Sequence, residues 1–390
     1  MPFFSFVLKK KINTEILSNF EEDKQKIFFN LRTNTKYFCK NTKLWKILNK
    51  KKYSNFITKI AFEKRIKNYQ VSGKILFCLP PSLGLGDIVE YALAIEAIKK
   101  ANIFLEIGVA FVGRYEVIFK KYFTVNNIYP ETVSEEIYNS FNTIFHISLE
   151  IPAFKNQKFV RSDIEKSLIN YFKVTKLRIP QTKHKNIIKK LTIFPISNSS
   201  LRIMPTNLLK AIVDFFSKNY LVEIVLDNNS VLSNYFEKKL INSKAIMIYP
   251  KNLDELLSVI ESIDFGIFMD SGPIHVAKIL NTDGILIENS VSSKILLNDF
   301  NSIKPFKNTY QSNFCEAPCG LTNIFNYNNN YGCFDSLQIN KLDFSKIYNL
   351  NALQRGSIKE YDEKFIDNPV SCLKNIDTMM LINFLENILK

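Results

Sequence analysis

The residues best suited to chemistry lie in the stretch Asp270–His275, which reads DSGPIH. The apolar run at 265–269 predicts a buried strand, and the apolar spacing after the stretch predicts a helix. Gly272 would let a ligand approach the backbone, and the free N–H groups of a helix start make an anion site. His275 falls in the first turn, where it could face the same ligand. The alternative that this pattern leaves open is an ordinary strand–helix turn with Asp270 as the helix cap.

A second small-residue loop, Gly84-Leu-Gly-Asp87, follows an apolar run at 75–79. Helical spacing begins at Ile88, so the loop lies between a predicted strand and a predicted helix. The carboxyl ends of strands are where α/β sheets place their sites. The two glycines would allow a substrate close to the backbone. Asp87 could therefore act on a substrate, or it could only cap the helix that follows.

Both loops belong to series of alternating strands and helices, which predict mostly parallel sheets with helices on both faces. The first series has strands at 75–79, 104–111 and 143–148, with helices at 88–98, 115–123 and 162–172. The second series has strands at 191–195, 221–226, 245–249, 265–269 and 284–287, with helices at 205–218, 231–240, 253–262 and 273–280. The predicted architecture is two Rossmann-like, doubly wound α/β domains, at 71–182 and 183–390. Residues 1–70 are predicted to form a helical extension, 310–363 an irregular region and 378–389 a final helix.

Charge is unevenly placed along the 390 residues, whose formal net charge is +15. Residues 1–70 hold 17 Lys and Arg against 5 Asp and Glu, a net charge of +12. A basic segment with interleaved aromatic residues suits an anionic membrane surface, and nucleic acid is the weaker candidate. A merely solvated surface is the third interpretation. No apolar run is long enough to span a bilayer and no secretory signal is visible, so a cytoplasmic protein is expected.

Three segments of the sequence resemble the motifs of glycosyltransferase family 9, the lipopolysaccharide heptosyltransferase family. The stretch Asp270–Ala277 is similar to the family's D-[ST]-G-x-x-H-x-A signature, and Gly84–Asp87 to its N-terminal G-x-G-D loop. The segment Ser200–Pro205 resembles its K-x-W-P segment, with Arg202 in place of Lys and Met204 in place of Trp. The motifs occur in the family's order, which makes the combination more specific than any one of them.

The resemblance implies a GT-B fold, in which two Rossmann-like domains face each other across a cleft. It also implies inverting transfer of a sugar without a metal cofactor, typically heptose from ADP-heptose, onto a lipid-linked lipopolysaccharide core acceptor at the inner membrane. One alternative is a transferase of the same fold that uses a UDP or GDP sugar. Another is a non-catalytic nucleotide-binding scaffold, which the changes at Arg202 and Met204 would suit.

The resemblance and the chemistry of the residues together predict roles for individual residues. Asp87 aligns with the family's catalytic Asp and would be the general base, with Gly84 and Gly86 admitting the acceptor. The donor pyrophosphate would be held by the backbone of Ser271 and Gly272 with His275, Arg202 and Ser197, while Asp270 caps the helix. Asp227, after the second strand of its domain, would accept from a ribose hydroxyl, or would only form a turn.

Four cysteines, Cys315, Cys319, Cys333 and Cys372, lie in the irregular region or just before the last helix. Some relatives have cysteines there, and certain autotransporter heptosyltransferases use four to bind iron. Thiolates could form a structural zinc or iron site that fixes a loop without its own core. The spacings match no standard zinc finger, so free cysteines are the alternative.

Overall fold

The computed structural model describes residues 26–31, 35–39, 72–80, 83–125, 127–151, 161–177, 187–228, 230–313, 315–322, 367 and 369–390. The strands are β1 (Lys26–Asn30), β2 (Thr35–Cys39), β3 (Lys74–Cys78), β4 (Glu106–Ala110), β5 (Asn127–Tyr129), β6 (Thr132–Ser134), β7 (Thr143–His146), β8 (Lys190–Phe194), β9 (Leu221–Val225), β10 (Ile246–Ile248), β11 (Phe265–Phe268), β12 (Gly284–Ile287), β13 (Ile303–Phe306), β14 (Tyr310–Gln311) and β15 (Glu316–Ala317). The helices are α1 (Leu85–Ala101), α2 (Glu116–Tyr122), α3 (Glu135–Ser140), α4 (Ile147–Glu150), α5 (Ile164–Phe172), α6 (Thr206–Phe216), α7 (Val231–Leu240), α8 (Leu253–Ser262), α9 (Gly272–Ile279), α10 (Ser293–Leu297), α11 (Ser371–Lys374) and α12 (Thr378–Leu389).

The described residues fall into two compact units. The first unit takes its residues from Met1–Pro81, Lys99–Glu116 and Thr124–Glu150. The second unit takes them from Ser82–Ile98, Val117–Phe123 and Ile151–Lys390, and so includes most of α1.

In the first unit, four parallel strands form a sheet in the order β5-β4-β3-β7. Its core includes Leu76, Cys78, Ala110 and Phe141, all buried. Short parallel strands of this kind read as continuous apolar runs, because helices cover both faces. The predicted strands at 75–79, 104–111 and 143–148 are confirmed to within two residues at each end.

The N-terminal segment corrects one prediction. Where 1–70 was predicted to be helical, β1 and β2 instead pair antiparallel, and β1 also pairs with β6. The sequences KIFFN and TKYFC are rich in aromatic and β-branched residues, which favour strands. A third strand supplies the support that an isolated hairpin lacks. Apart from residues 26–31 and 35–39, the predicted extension lies outside the described residues.

The second unit is built on a six-stranded parallel sheet in the order β10-β9-β8-β11-β12-β13. Counted from β8 as the first strand, this is the order 3-2-1-4-5-6 of a doubly wound Rossmann sheet. The strand order reverses between β8 and β11, whose paired residues include Phe194 and Phe268. The chain segments that leave these two strands therefore begin at the switch point, where such folds bind ligands.

Side chains from one face of this sheet, including Ile193 and Ile267, belong to the larger core. The neighbouring residues Phe194 and Phe268 point to the other face, where their rings stack at 5.0 Å between centroids. Met204 belongs to the apolar core under α6, so its apolar character is what packing requires there. The predicted helices at 253–262 and 378–389 are confirmed to the residue. In the part of the chain that the structure describes, no helix is long and apolar enough to cross a membrane.

Candidate functional site

The start of α9 lies at the carboxyl end of β11 and presents an open helix N-terminus. Its N-cap residue is Ser271, whose side chain makes no capping hydrogen bond; the Ser271 hydroxyl instead donates to the carbonyl of Met269 at 3.3 Å. Pro273 follows in the first turn and has no N–H to satisfy. The prediction that Asp270 caps this helix is wrong. The uncapped first turn leaves backbone N–H groups that suit an anion.

Asp270 contacts two residues that follow β8 in the chain, Ser197 and Arg202. Nη1 of Arg202 lies 3.3 Å from Oδ1 of Asp270, and it donates to the Asp270 carbonyl at the same distance. The hydroxyl of Ser197 also donates to that carbonyl, at 3.0 Å. The structure thus brings together three of the residues predicted to bind the donor. Asp270 is nearly fully buried, so Arg202 compensates a carboxylate that would otherwise be costly.

Asp87 lies in the first turn of α1, because the helix begins at Leu85 and not at Ile88 as predicted. Its Oδ2 accepts from the backbone N–H of Gly84 at 3.1 Å. A carboxylate at the third helical position that reaches back to the N-cap N–H is half of a capping box. Its other oxygen, Oδ1, forms an ion pair with Nη1 of Arg161.

Glu90 lies one turn further along α1 and is buried. Its Oε1 is 3.1 Å from Nη2 of Arg161 and 3.2 Å from Nδ1 of His275. Burial acts to raise the pKa of the Glu90 carboxyl, but the charge of Arg161, helped by His275 and Lys278, holds that pKa well below its usual range. Burial lowers the pKa of His275 against the pull of Glu90, which favours a neutral ring at pH 7.

A buried lysine completes this group of charges. Lys278 lies three residues after His275 on α9, and its Nζ donates to the carbonyl of Leu296 at 2.7 Å. Burial lowers the pKa of Lys278, while Glu90 and the buried Glu165 act to raise it. The helix α9 therefore carries two buried nitrogen groups, of which His275 contacts the carboxylate of Glu90.

Two glycines allow α1 and α9 to approach each other. A Cβ atom at Gly86 would lie 2.5 Å from Cδ2 of His275, and one at Gly272 would lie 2.9 Å from Cβ of Leu85. Neither glycine has a positive φ, so each is required by space and not by its backbone conformation. The sequence predicts that a ligand occupies the space beside each glycine. In the structure, His275 occupies the space beside Gly86, and Leu85 occupies the space beside Gly272. At Gly84 an added Cβ would meet only Oδ2 of Asp87, at 3.6 Å.

The remaining predicted residues lie apart from these contacts. Asp227 follows β9 and is exposed, and its carbonyl accepts from the N–H of Ser230 at 2.9 Å and from the hydroxyl of Ser233 at 2.7 Å. This geometry supports the turn-forming role and leaves the ribose role a prediction.

Of the four cysteines, Cys333 lies outside the described residues. Cys315, Cys319 and Cys372 carry free thiols, and burial raises the pKa of each, that of Cys372 to about 12 with the other two adding to the effect. The described residues include no group of three or more His, Cys, Asp or Glu that could hold a metal ion. The described thiols by themselves therefore do not fit a zinc or iron site.

Sequence reasoning missed Arg161 and Glu90, which link Asp87 to His275. Arg161 is 74 residues from Asp87 and follows a stretch without clear periodicity. Glu90 carried one available signal, its spacing of three residues from Asp87, which places both carboxylates on one helix face.

The sheet order and the open helix start at its switch point define a doubly wound α/β fold of the kind that binds nucleotides there. No family model matches the sequence, and no curated protein matches it. Among solved structures, the chain is similar to a glycosyltransferase family 9 protein from Veillonella parvula. The identity is 13%, over 83% of this chain and 99% of that one, with a TM-score of 0.53.

Two further solved structures are less similar. The iron-containing dodecameric glycosyltransferase TibC from enterotoxigenic E. coli is 12% identical over 82% of this chain and 78% of its own, with a TM-score of 0.46. The E. coli heptosyltransferase WaaC with ADP-2-deoxy-2-fluoro heptose is 9% identical over 60% and 93%, with a TM-score of 0.43. The likeness to the Veillonella protein confirms the predicted fold, and at this identity it is a statement about fold.

Proposed function

We propose that this protein is an inverting glycosyltransferase of the family 9 type, which uses a nucleotide-sugar donor. The observation that carries the proposal is the meeting of Arg202, Ser197 and Asp270 beside the open N-terminus of α9, at the switch point of a Rossmann sheet. A helix start and a guanidinium together suit a pyrophosphate. The motif resemblance and the shared fold point to the same reaction class.

The donor would bind with its diphosphate at the start of α9. The N–H groups of Ser271 and Gly272 would donate to phosphate oxygens. The Arg202 side chain remains 18% exposed beside Asp270, and its buried Nε has no hydrogen-bond partner among the described residues. A guanidinium can therefore still contact a phosphate while it holds Asp270. We assign the nucleotide as ADP and the sugar as heptose, from the resemblance, with Asp227 as the contact to the ribose.

In the proposed reaction, Asp87 takes the proton from an acceptor hydroxyl as its oxygen attacks the anomeric carbon of the donor sugar. A bond forms between that oxygen and that carbon on the face opposite the leaving group. The bond from the anomeric carbon to the diphosphate breaks, and its electron pair leaves with the nucleotide. The α9 N-terminus and Arg202 would stabilise the charge that develops on the diphosphate.

We further propose a lipid-linked glycan as acceptor and a peripheral position on the inner face of the inner membrane. The proposal rests on the net charge of +12 in residues 1–70, because basic segments bind anionic headgroups and phosphorylated acceptors. On this proposal residues 71–182, which include Asp87, bind the acceptor, and residues 183–390 bind the donor.

Thermal unfolding with ADP, UDP and GDP tests the donor assignment. A nucleotide present at 100 times its Kd should stabilise the protein by about 2.7 kcal/mol. We expect ADP to raise the Tm, and we expect Arg202→Gln to weaken ADP binding by about 10-fold or more, since a hydrogen bond to a charged group contributes about 1.5–3 kcal/mol. Arg114→Gln is the matched control, because the contacts that it removes are a hydrogen bond and a cation–π contact to the neighbouring Tyr115.

The same measurement separates the alternatives. A response to UDP or GDP alone would indicate another donor for the same fold. No response to any nucleotide would contradict the proposal, and nucleotide binding without any sugar transfer would favour the scaffold.

A further inference from the structure

Arg161 lies between two carboxylates of α1 and contacts both. Its Nη1 pairs with Oδ1 of Asp87, and its Nη2 is 3.1 Å from Oε1 of Glu90. The backbone N–H of Arg161 donates to the carbonyl of Gly320 at 2.7 Å, which fixes the residue from its own main chain. The Arg161 side chain is only 15% exposed, so it is held in place and largely shielded from water.

This arrangement is not explained by stability alone. Asp87 and Glu90 are three residues apart on one helix, where like charges repel. Burying two carboxylates and a guanidinium costs desolvation energy, and ion pairing returns only part of that cost. Apolar side chains of similar volume often stabilise a protein equally well or better. What the three charged groups gain is a defined orientation of their side chains, because Arg161 pairs with both Asp87 and Glu90.

The orientation matters most for Asp87. Both of its oxygens are held from inside the protein, Oδ2 by the N–H of Gly84 and Oδ1 by Arg161. A carboxylate oxygen has two lone pairs, so each oxygen keeps a further acceptor position. A carboxylate fixed in this way can receive a hydroxyl proton without first losing rotational freedom.

We propose that Arg161 is a positioning residue for the base Asp87, and that Glu90 in turn positions Arg161. The inference rests on the proposed function, in which Asp87 accepts the proton of the acceptor hydroxyl. Oε1 of Glu90 contacts both Arg161 and His275, so the same carboxylate links the base to the first turn of the donor-binding helix. Arg161 acts through Asp87 and contacts no substrate.

The test is a double-mutant cycle on the full chain, in which sugar transfer from ADP-heptose to a lipid A–core acceptor is measured. Arg161→Gln should lower kcat by about 10- to 100-fold, which is at most the lower end of the roughly 10²- to 10⁴-fold that a general base contributes, while the Kd for ADP changes less than about 2-fold. Arg161→Lys should recover part of kcat, because it keeps the charge but loses the bidentate geometry. Arg114→Gln, the same substitution at an exposed arginine, should leave kcat unchanged.

The decisive comparison uses Asp87→Asn as background. If Arg161 acts through Asp87, Arg161→Gln should slow single-turnover transfer in the native background and change it less than about 2-fold in Asp87→Asn. In parallel, the sum of the Tm losses of the two single variants should exceed the Tm loss of the double variant, since the two residues share one ion pair.

Equal slowing in both backgrounds would overturn the positioning role while leaving Asp87 as the base. A parallel weakening of ADP binding by Arg161→Gln would overturn it as well, since Arg161 would then contact the donor. A native transfer rate in Asp87→Asn itself would show that the proposed base is wrong, and the inference would fall with it. Additive Tm losses would show that the ion pair is absent in solution and would overturn the inference without any measurement of transfer.

Discussion

Gly86→Ala tests whether the two small-residue loops are packed against each other. The added Cβ would lie 2.5 Å from Cδ2 and 2.9 Å from Nε2 of His275. Favourable contacts between carbon atoms need about 3.5–4.0 Å, so the ring or the helix must move by about 1 Å. His275 is buried and close to Glu90, which leaves it little freedom. Overpacking of this kind costs about 1–3 kcal/mol, and the better helix propensity of Ala returns at most about 1 kcal/mol. We expect a net loss of about 1–2 kcal/mol.

Urea unfolding followed by circular dichroism measures this loss, and a second substitution isolates its cause. In a His275→Ala background the ring is absent, so Gly86→Ala should cost nothing or stabilise the protein slightly. Gly84→Ala is the matched control, because its Cβ would meet only Oδ2 of Asp87 at 3.6 Å. Its cost, about 1 kcal/mol or less for the changed N-cap, should be the same in both backgrounds. A loss at Gly86 that persists without the ring would refute the steric reasoning.

Three further predictions concern the same network and the cysteines. Asp87→Asn should slow sugar transfer by about 100-fold or more, measured as an initial rate; a near-native rate would leave Asp87 as a helix cap only. It should also cost about 1–2 kcal/mol in urea unfolding, because Arg161 loses a charged partner. The depressed pKa of Glu90 gives stability that is present above its unfolded value of about 4.3 and is lost as pH falls below it. Glu90→Gln should therefore show a shallower fall in unfolding free energy between about pH 5 and 3; an unchanged slope would contradict this. Elemental analysis of anaerobically purified protein tests the metal prediction. It should find zinc or iron only if Cys315, Cys319 and Cys372 lose their thiol protons on binding and a cysteine from outside the described residues supplies a further ligand.

Much of the fold could be predicted because local signals and packing agree. The helix at 253–262 begins after Asn252, whose side chain accepts from the N–H of Glu255, and the last helix begins after Asp377, which caps in the same way. These caps and the helical spacing are visible in the sequence. The alternation of elements then predicts a parallel sheet.

The N-terminal strands could not be predicted in this way. The apolar spacing before and after β1 is compatible with a helix, and the competing strand propensity is local and weak. What decides the outcome is the pairing of β1 with β6, about a hundred residues later in the chain. Short windows of sequence contain no information on such a partner.

The same limit applied to the site. The sequence identified the groups that face the carboxyl ends of strands, such as Asp270 and Arg202, because strand ends are local features. It placed Asp270 in the wrong role, since an acidic residue before a helix ordinarily caps it, and here the charge is taken up by Arg202. Arg161 had no local signal, because its role depends on carboxylates 74 residues away.

The two motifs that appear separate in sequence are one packed structure in the second unit. Leu85 fills the space that a side chain at Gly272 would need, and His275 fills the space at Gly86. A substitution in either motif therefore disturbs the other, and Gly272→Val would displace Leu85 as well as obstruct the phosphate that we propose to bind there. For this reason Arg202, which contacts Asp270 but neither helix start, is the better position at which to test donor binding. The same packing explains why Arg161, which pairs with Asp87, and His275 of α9 can both contact one buried carboxylate, that of Glu90.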